Sequence, residues 1–425
     1  MSERRALSMT TLSSPSGRRP AWLLIAGILL IAANMRAAIT SVGPLLDRIA
    51  ADYRLSSEMS GLLTSLPLLA FGAMSLLAPR LAEKLGSERS LLYGLALLLA
   101  GMLVRALPGT EALFAGTALL GLAIAVSNVL LPSLIKRDFP AQIGLLTGSY
   151  SVTMSVFAAI ASGVSVPLAA LPGWGWSRSL LLWALLAALA FAVWLPISLR
   201  SKSHPAAVSP QSPARMLRSP LAWRITLYMG LQSLTFYATI TWLPVLFHER
   251  GFSAASAGWL LMLMQLVSLP TSFFVPVWAS RMRSQVPLVA IAGALSLSGY
   301  AGLLWGSTSL SLLWITLLGL SQGATISLAL TFFGLRTRTA AEAARLSGMA
   351  QSIGYLLAAF GPVLLGTLHD RTGSWNPVLA VLLLVSLVVV ALGLGAGRPG
   401  TISEPDGGSE LRSPAGSGKL TGPAR

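Results

Sequence analysis

The sequence predicts an all-α membrane protein, with twelve transmembrane helices in two pseudo-symmetric six-helix bundles. Three observations predict it. The 425 residues are 54% hydrophobic and only 10% charged, where a soluble domain carries about 25% charged residues. Twelve long apolar runs succeed one another, near 21–46, 57–80, 89–107, 111–135, 142–169, 178–198, 221–247, 254–279, 286–306, 309–334, 341–368 and 376–396. Each comes close to or exceeds the roughly 20 residues a helix needs to cross a hydrocarbon core about 30 Å thick. Finally, the second half of the chain repeats the first.

The amino-terminal residues 1–20 hold Arg4, Arg5, Arg18 and Arg19 among Ser and Pro, a cytoplasmic tail. The apolar run behind them is longer than the 7–15 residues of a secretory signal, and more runs follow it. It is therefore expected to stay as the first span. Residues 21–199 make the N-terminal bundle and 221–396 the C-terminal one. Between them, 200–220 is a cytoplasmic linker rich in Ser and Pro. From 397 to 425 the chain is Gly, Pro, Ser and charge, which builds no core and predicts disorder. With the amino terminus inside, 23 Lys and Arg fall on the cytoplasmic side and six outside. That bias predicts a multi-pass chain with both termini in the cytoplasm.

The repeat runs at an offset near 197–200. Leu55-Ser-Ser-Glu-Met-Ser-Gly61 aligns with Phe252-Ser-Ala-Ala-Ser-Ala-Gly258, Pro79 with Pro276, Lys84 with Arg281, and Gly148 with Gly348. Two six-span halves related in this way describe carriers that rock about a midplane site.

Composition also excludes. The net charge of +16 lies in short clusters between apolar runs, a topology signal and not a nucleic-acid surface. With no cysteine there is no thiolate site. His204, His248 and His369 lack ligand spacing, so neither metal nor cofactor is expected. No Asp-rich cluster suits metal-phosphate chemistry, so the chain is not read as an enzyme.

One charge stands apart. Arg36 is the only formal charge between Ala21 and Val42, and a guanidinium keeps its proton. Its insertion costs at least about 2.5–3.5 kcal/mol. No other basic residue, and no acidic one, is expected as deep. The partner that offsets this cost is a transported anion, a polar side chain or a backbone carbonyl. Ala32, Thr40 and Gly43 share the Arg36 face at helical spacing. In span four, Pro132 frees the carbonyl of Asn128 four residues back, offering the solute an amide and a loose acceptor, or simply an interhelical bond. Span five carries Gly144, Gly148, Ser151 and Ser155, a face for close packing, with Tyr150 beside it. In the second half the deep amides are Gln232, Gln265, Gln322 and Gln351. Gln232 shares a face with Phe236, and Gln351 with Tyr355; Tyr237 adjoins the first pair. Each amide is either a solute contact or packing glue.

The loop after span two, Ala78-Pro-Arg-Leu-Ala-Glu-Lys-Leu-Gly-Ser-Glu-Arg89, resembles the major facilitator pattern G-x-x-x-D-R-x-G-R-R, with Pro79 for the leading Gly. Arg80, Glu83, Lys84 and Arg89, with Arg281 of the second half, are candidates for a gating latch; the alternative is a solvated basic loop.

Several stretches together are similar to the cyanate and nitroimidazole permease branch of the major facilitators. They are Asn34-Met-Arg36 with Thr40-Ser-Val-Gly-Pro-Leu-Leu46, Asn128-Val-Leu-Leu-Pro-Ser-Leu-Ile-Lys-Arg-Asp-Phe-Pro140, Met229-Gly-Leu-Gln-Ser-Leu-Thr-Phe-Tyr237 with Trp242-Leu-Pro244, and Gly348-Met-Ala-Gln-Ser-Ile-Gly-Tyr355. Ala37 stands where the pattern has Pro. The resemblance implies the major facilitator fold and transport of a small anion such as cyanate, or of a small heteroaromatic, by alternating access. Export of nitroimidazole-like or other small drugs is the alternative within that class, and a non-transporting membrane sensor the alternative outside it. The partners expected are a small, anionic solute and the lipid bilayer, without nucleic acid, and the chain is expected to act as a monomer. A coupling proton stays open, with no carboxylate relay in the spans to carry it.

Overall fold

The computed structural model describes residues 21–55, 57–201 and 216–402. The expectations for residues 1–20, most of the linker and 403–425 lie outside the described residues. All regular structure among those described is helical. The α-helices are α1 (Ala21–Thr40), α2 (Leu46–Tyr53), α3 (Ser57–Ser75), α4 (Ala78–Leu85), α5 (Ser87–Arg105), α6 (Thr110–Asp138), α7 (Ile143–Ala169), α8 (Gly175–Leu181) and α9 (Trp183–Leu199) in the first half. In the second half they are α10 (Pro220–Glu249), α11 (Ala254–Arg281), α12 (Val286–Trp305), α13 (Ser311–Leu335), α14 (Ala340–Thr372) and α15 (Trp375–Ala396).

They make the twelve expected passes. Ten stretches are long and apolar enough to cross a bilayer, and α3 with α4 forms an eleventh, bent by 51°. The twelfth is α10. It reaches membrane length with 30 residues but dilutes its apolar content with Gln232, Ser233, Thr235, Thr239 and Thr241. Two predicted spans are broken. The first ends as helix at Thr40 and continues through a 3-10 turn, Gly43–Leu45, into α2; the sixth is split between α8 and α9. Helix ends follow local chemistry. Gly86 (φ 86°) separates α4 from α5, and Gly373 (φ 60°) closes α14; both backbones suit glycine. At the start of α14 the Thr339 hydroxyl accepts the Glu342 N–H, and the Glu342 carboxylate accepts the Arg338 N–H, a variant of the capping box.

The termini of α1, α9 and α10 nearest the linker lie on one side of the molecule, called here the linker side. Exposed tryptophans mark both edges of the apolar band: Trp22, Trp223 and Trp278 near the linker side, Trp259 and Trp305 near the far side. Such belts sit at membrane interfaces.

The bundles meet through α3 with α14, α7 with α11, and α6 with α13 and α14. The contact is one-sided. A Cβ added at Gly148 would stand 2.6 Å from the Phe273 carbonyl oxygen, and one at Gly348 would stand 2.6 Å from that of Ser75. Farther along the same helices, towards the far side, Cβ atoms at Gly61, Gly163 and Gly258 would meet nothing within 4 Å. The small face of span five is therefore not ordinary packing within one bundle. It is half of the seam between the two.

One boundary is corrected. Disorder was expected from residue 397, but 397–402 is packed. Arg336 donates to the Ala396 and Gly397 carbonyls and to Gln285 Oε1, and the Ile402 N–H returns to the Arg336 carbonyl at 2.9 Å. Burial pushes Arg336 down to about 10, which leaves it charged at neutral pH.

Candidate functional site

Arg36 is held by a helix of small residues. Ala32, Ala33, Ala37 and Ala38 are all buried and let α1 press against α7 and α9. Asn34 turns into the N-terminal bundle, donating to the Leu30 carbonyl at 2.9 Å and the Leu186 carbonyl at 3.2 Å. Arg36, two residues on, turns the opposite way, towards the second bundle. The residue as a whole is half-buried. Among the described residues its side chain makes one hydrogen bond, Nη1 to the Tyr237 hydroxyl at 3.5 Å, a length at which such a bond is weak. No ion pair to Arg36 is found among the described residues.

Around it the two bundles supply aromatic surface. Tyr237 meets Phe236 edge-on, ring centroids 5.2 Å apart. Tyr355 lies within electrostatic range of Arg36 and Tyr237, and its ring packs 5.1 Å from that of Phe71. Tyr150, buried, lies within range of Tyr355. Below this group the Asn128 carbonyl, which Pro132 relieves of its helical donor, accepts Gln351 Nε2 at 2.9 Å. That bond crosses between the bundles. The side-chain amide of Asn128 is half-buried. Ser352, beside Gln351, donates to the Gly72 carbonyl and closes the floor.

The structure thus brings together Arg36, Tyr237, Phe236, Tyr355, Tyr150, Asn128 and Gln351. It does not bring the others. Thr40 spends its hydroxyl on the Arg36 carbonyl at 3.0 Å and the Ala158 carbonyl at 3.2 Å, so it ties α1 to α7. Gln232 is 4% exposed and donates to the Met229 carbonyl and the Ser233 hydroxyl. With Gln322, Tyr228 and Tyr300 it lines a cavity of about 10 Å³ inside the C-terminal bundle, away from Arg36. The Gln322 side chain is buried there, within reach of the Tyr300 hydroxyl. Gln265 is exposed. Spacing along a helix does not fix the rotation of that helix, and rotation separates these three amides from Gln351.

The latch is also re-drawn. Glu83 accepts Arg345 Nη2 at 2.6 Å and Nε at 2.9 Å, joining α4 to α14 across the seam. Arg80, Lys84, Arg89 and Arg281 are exposed, with no ion pair among the described residues. In the sequence Arg345 is one of the 23 cytoplasmic-side basic residues, with nothing local to mark it as the partner of Glu83. Lys136, another of them, donates to the Gly334 and Thr337 carbonyls, both at 2.5 Å, and neutralises the carbonyl end of α13. Its place in the last turn of α6, within the Asn128–Pro140 run, is the signal. Glu88 pairs instead with Arg137, at 2.9 Å, within the first bundle. Arg105, one of the six charges that the sequence places on the outer side, ends α5 on the far side as expected, but it is folded into the bundle, at 1% exposure.

Two six-helix bundles closed on one side over a polar, aromatic floor define a membrane carrier. The chain belongs to the Major Facilitator Superfamily, which it matches over residues 23–362, within the cyanate and nitroimidazole permease branch. It is 44% identical to the 2-nitroimidazole transporter of Escherichia coli over 396 residues, covering 92% of this chain and 99% of that one. It is 30% identical to the cyanate transport protein CynX of the same organism over 370 residues, 86% and 95% of the two chains. The proton:xylose symporter XylE has the same fold, at a TM-score of 0.72 and 11% identity over 90% of this chain and 98% of that one.

Proposed function

We propose that this chain moves a small, flat monoanion across a bacterial inner membrane by alternating access, and that Arg36 is its main electrostatic contact. One observation carries the reading. Arg36 faces the opening between the bundles, half-buried, with a single long bond to a neutral hydroxyl. A permanent charge in low dielectric calls for a counter-charge, and the described residues supply none. The solute does. The rings of Phe71, Phe236, Tyr237 and Tyr355 suit a planar group. Cyanate is a small monoanion, and 2-nitroimidazole, whose nitro group acidifies the ring N–H, ionises to a delocalised one. The names of the two relatives are compatible with one site chemistry, and the aromatic lining favours the heteroaromatic.

The linker side corresponds to the cytoplasm under the positive-inside rule. Seams closed there and parted on the far side make this the outward-facing arrangement. Rocking would break Glu83–Arg345 and Lys136–Gly334/Thr337 and bring the far halves together. The test is counterflow in proteoliposomes with cyanate and with 2-nitroimidazole. Replacing Arg36→Gln removes a charge-assisted contact of about 1.5–3 kcal/mol, so exchange is expected to fall more than tenfold while insertion is retained. Unchanged exchange removes Arg36 from the site.

A further inference from the structure

Arg105 is a second buried cation whose charge nothing else explains. It ends α5 at 1% exposure, among the largest fully buried side chains of the protein. The cause is a backbone crossing. A Cβ at Gly101 would stand 2.8 Å from the Leu120 amide nitrogen, and one at Gly116 would collide with the backbone of Arg105 itself. Two glycines thus let α5 and α6 touch main chain to main chain, which draws residue 105 into the bundle. Its Nη1 donates to the Ala38 carbonyl at 2.8 Å. Its Nε and Nη2 are buried without a partner, and no carboxylate pairs with it among the described residues.

The position of that one bond gives the charge a use. Ala38 lies two residues beyond Arg36, in the last turn of α1. After Ala38 the helix gives way: the Ser41 N–H still reaches the Ala37 carbonyl, but the Val42 N–H turns to Ile39. The Ala38 carbonyl is left for Arg105. Carbonyls at a helix C-terminus carry partial negative charge, and the Ala38 carbonyl follows Arg36 within one turn of α1. Uncapped, such carbonyls weaken the pull of Arg36 on a negative solute. Capped by a cation, they do not.

We propose that Arg105 is a positioning and specificity-determining residue. It neutralises the negative end of α1, holds the turn that presents Arg36, and biases the opening between the bundles towards anions. This rests on the reading of Arg36 as the anion contact. A charge at a partly buried helix end changes the affinity of its neighbourhood for an opposite charge by roughly five- to thirtyfold.

The experiment uses the full chain in proteoliposomes with cyanate as probe, comparing Arg105→Met, Arg105→Lys and Arg36→Gln. Methionine keeps the volume and buries readily; lysine restores the charge. The half-saturation concentration for cyanate is expected to rise about five- to thirtyfold in Arg105→Met and to stay within about threefold in Arg105→Lys, with the maximal exchange rate kept in both. Equal impairment of both variants, a loss confined to the maximal rate, or no change in Arg105→Met overturns the proposal. The Arg36→Gln arm separates the two claims. If it abolishes cyanate exchange while Arg105→Met behaves as wild type, only the role of Arg105 fails. If it leaves cyanate exchange intact, both fail. Should Arg105→Met not insert, Arg105→Gln replaces it with the same expectation, because the amide still donates to Ala38 without the charge.

Discussion

Replacing Gly148 by Ala adds one carbon atom at the seam between α7 and α11. That carbon would stand 2.6 Å from the Phe273 carbonyl oxygen, and ordinary contact begins near 3.4 Å. The deficit, 3.4 less 2.6, is about 0.8 Å. A main-chain carbonyl inside a helix cannot swing aside as a flexible side chain can, so the helices must part. Overpacking of this kind costs about 1–3 kcal/mol. The cost falls only on the arrangement in which the two helices touch. The gain in helix propensity, about 1 kcal/mol, is the same in every arrangement and cancels. The equilibrium should therefore move away from linker-side closure by roughly 5- to 150-fold. The chain has no cysteine, so paired spin labels can be placed at Lys84→Cys and Arg283→Cys, both exposed and on opposite bundles. Electron–electron distance measurements should show a single short distance in the parent and a longer population with Gly148→Ala. An unchanged distribution in a folded Gly148→Ala protein would refute the claim that this face governs closure.

Two further substitutions probe the same logic elsewhere. Glu83→Gln removes the carboxylate charge that Arg345 meets across the seam, weakening linker-side closure by about 1–3 kcal/mol; the same label pair should report a longer population, and its absence would make the pair an ornament of the surface. Gln322→Leu removes a buried amide from the cavity in the C-terminal bundle while the Tyr300 hydroxyl keeps Thr239, so stability should stay within about 1 kcal/mol of the parent, with cyanate exchange within about twofold. A tenfold loss of exchange would return Gln322 to the solute path.

How much of this could be read from the chain differs between fold and site. The spans and the two-fold repeat were legible because lipid acts on each stretch separately. Every backbone polar group in the core must bond within its own helix, so apolar runs record the spans locally. Arg36 was legible for the same reason: a charge in an apolar run is anomalous wherever its neighbours go. The freed carbonyl of Asn128 could be anticipated from Pro132, but not that Gln351, 223 residues away, would take it.

What tertiary structure alone decided was rotation. A helix in lipid is apolar on every face, so spacing cannot say which face looks inward. Gln351 and Gln232 lie on comparable stretches of α14 and α10, yet one bridges the bundles and the other turns into its own. The same holds for Glu83 and Arg345, 262 positions apart, and for the burial of Arg105, which two glycines bring about by letting α5 onto α6. Local solvation writes the spans into the sequence. The pairing of distant side chains depends on how finished helices pack, and that packing is a property of the whole molecule.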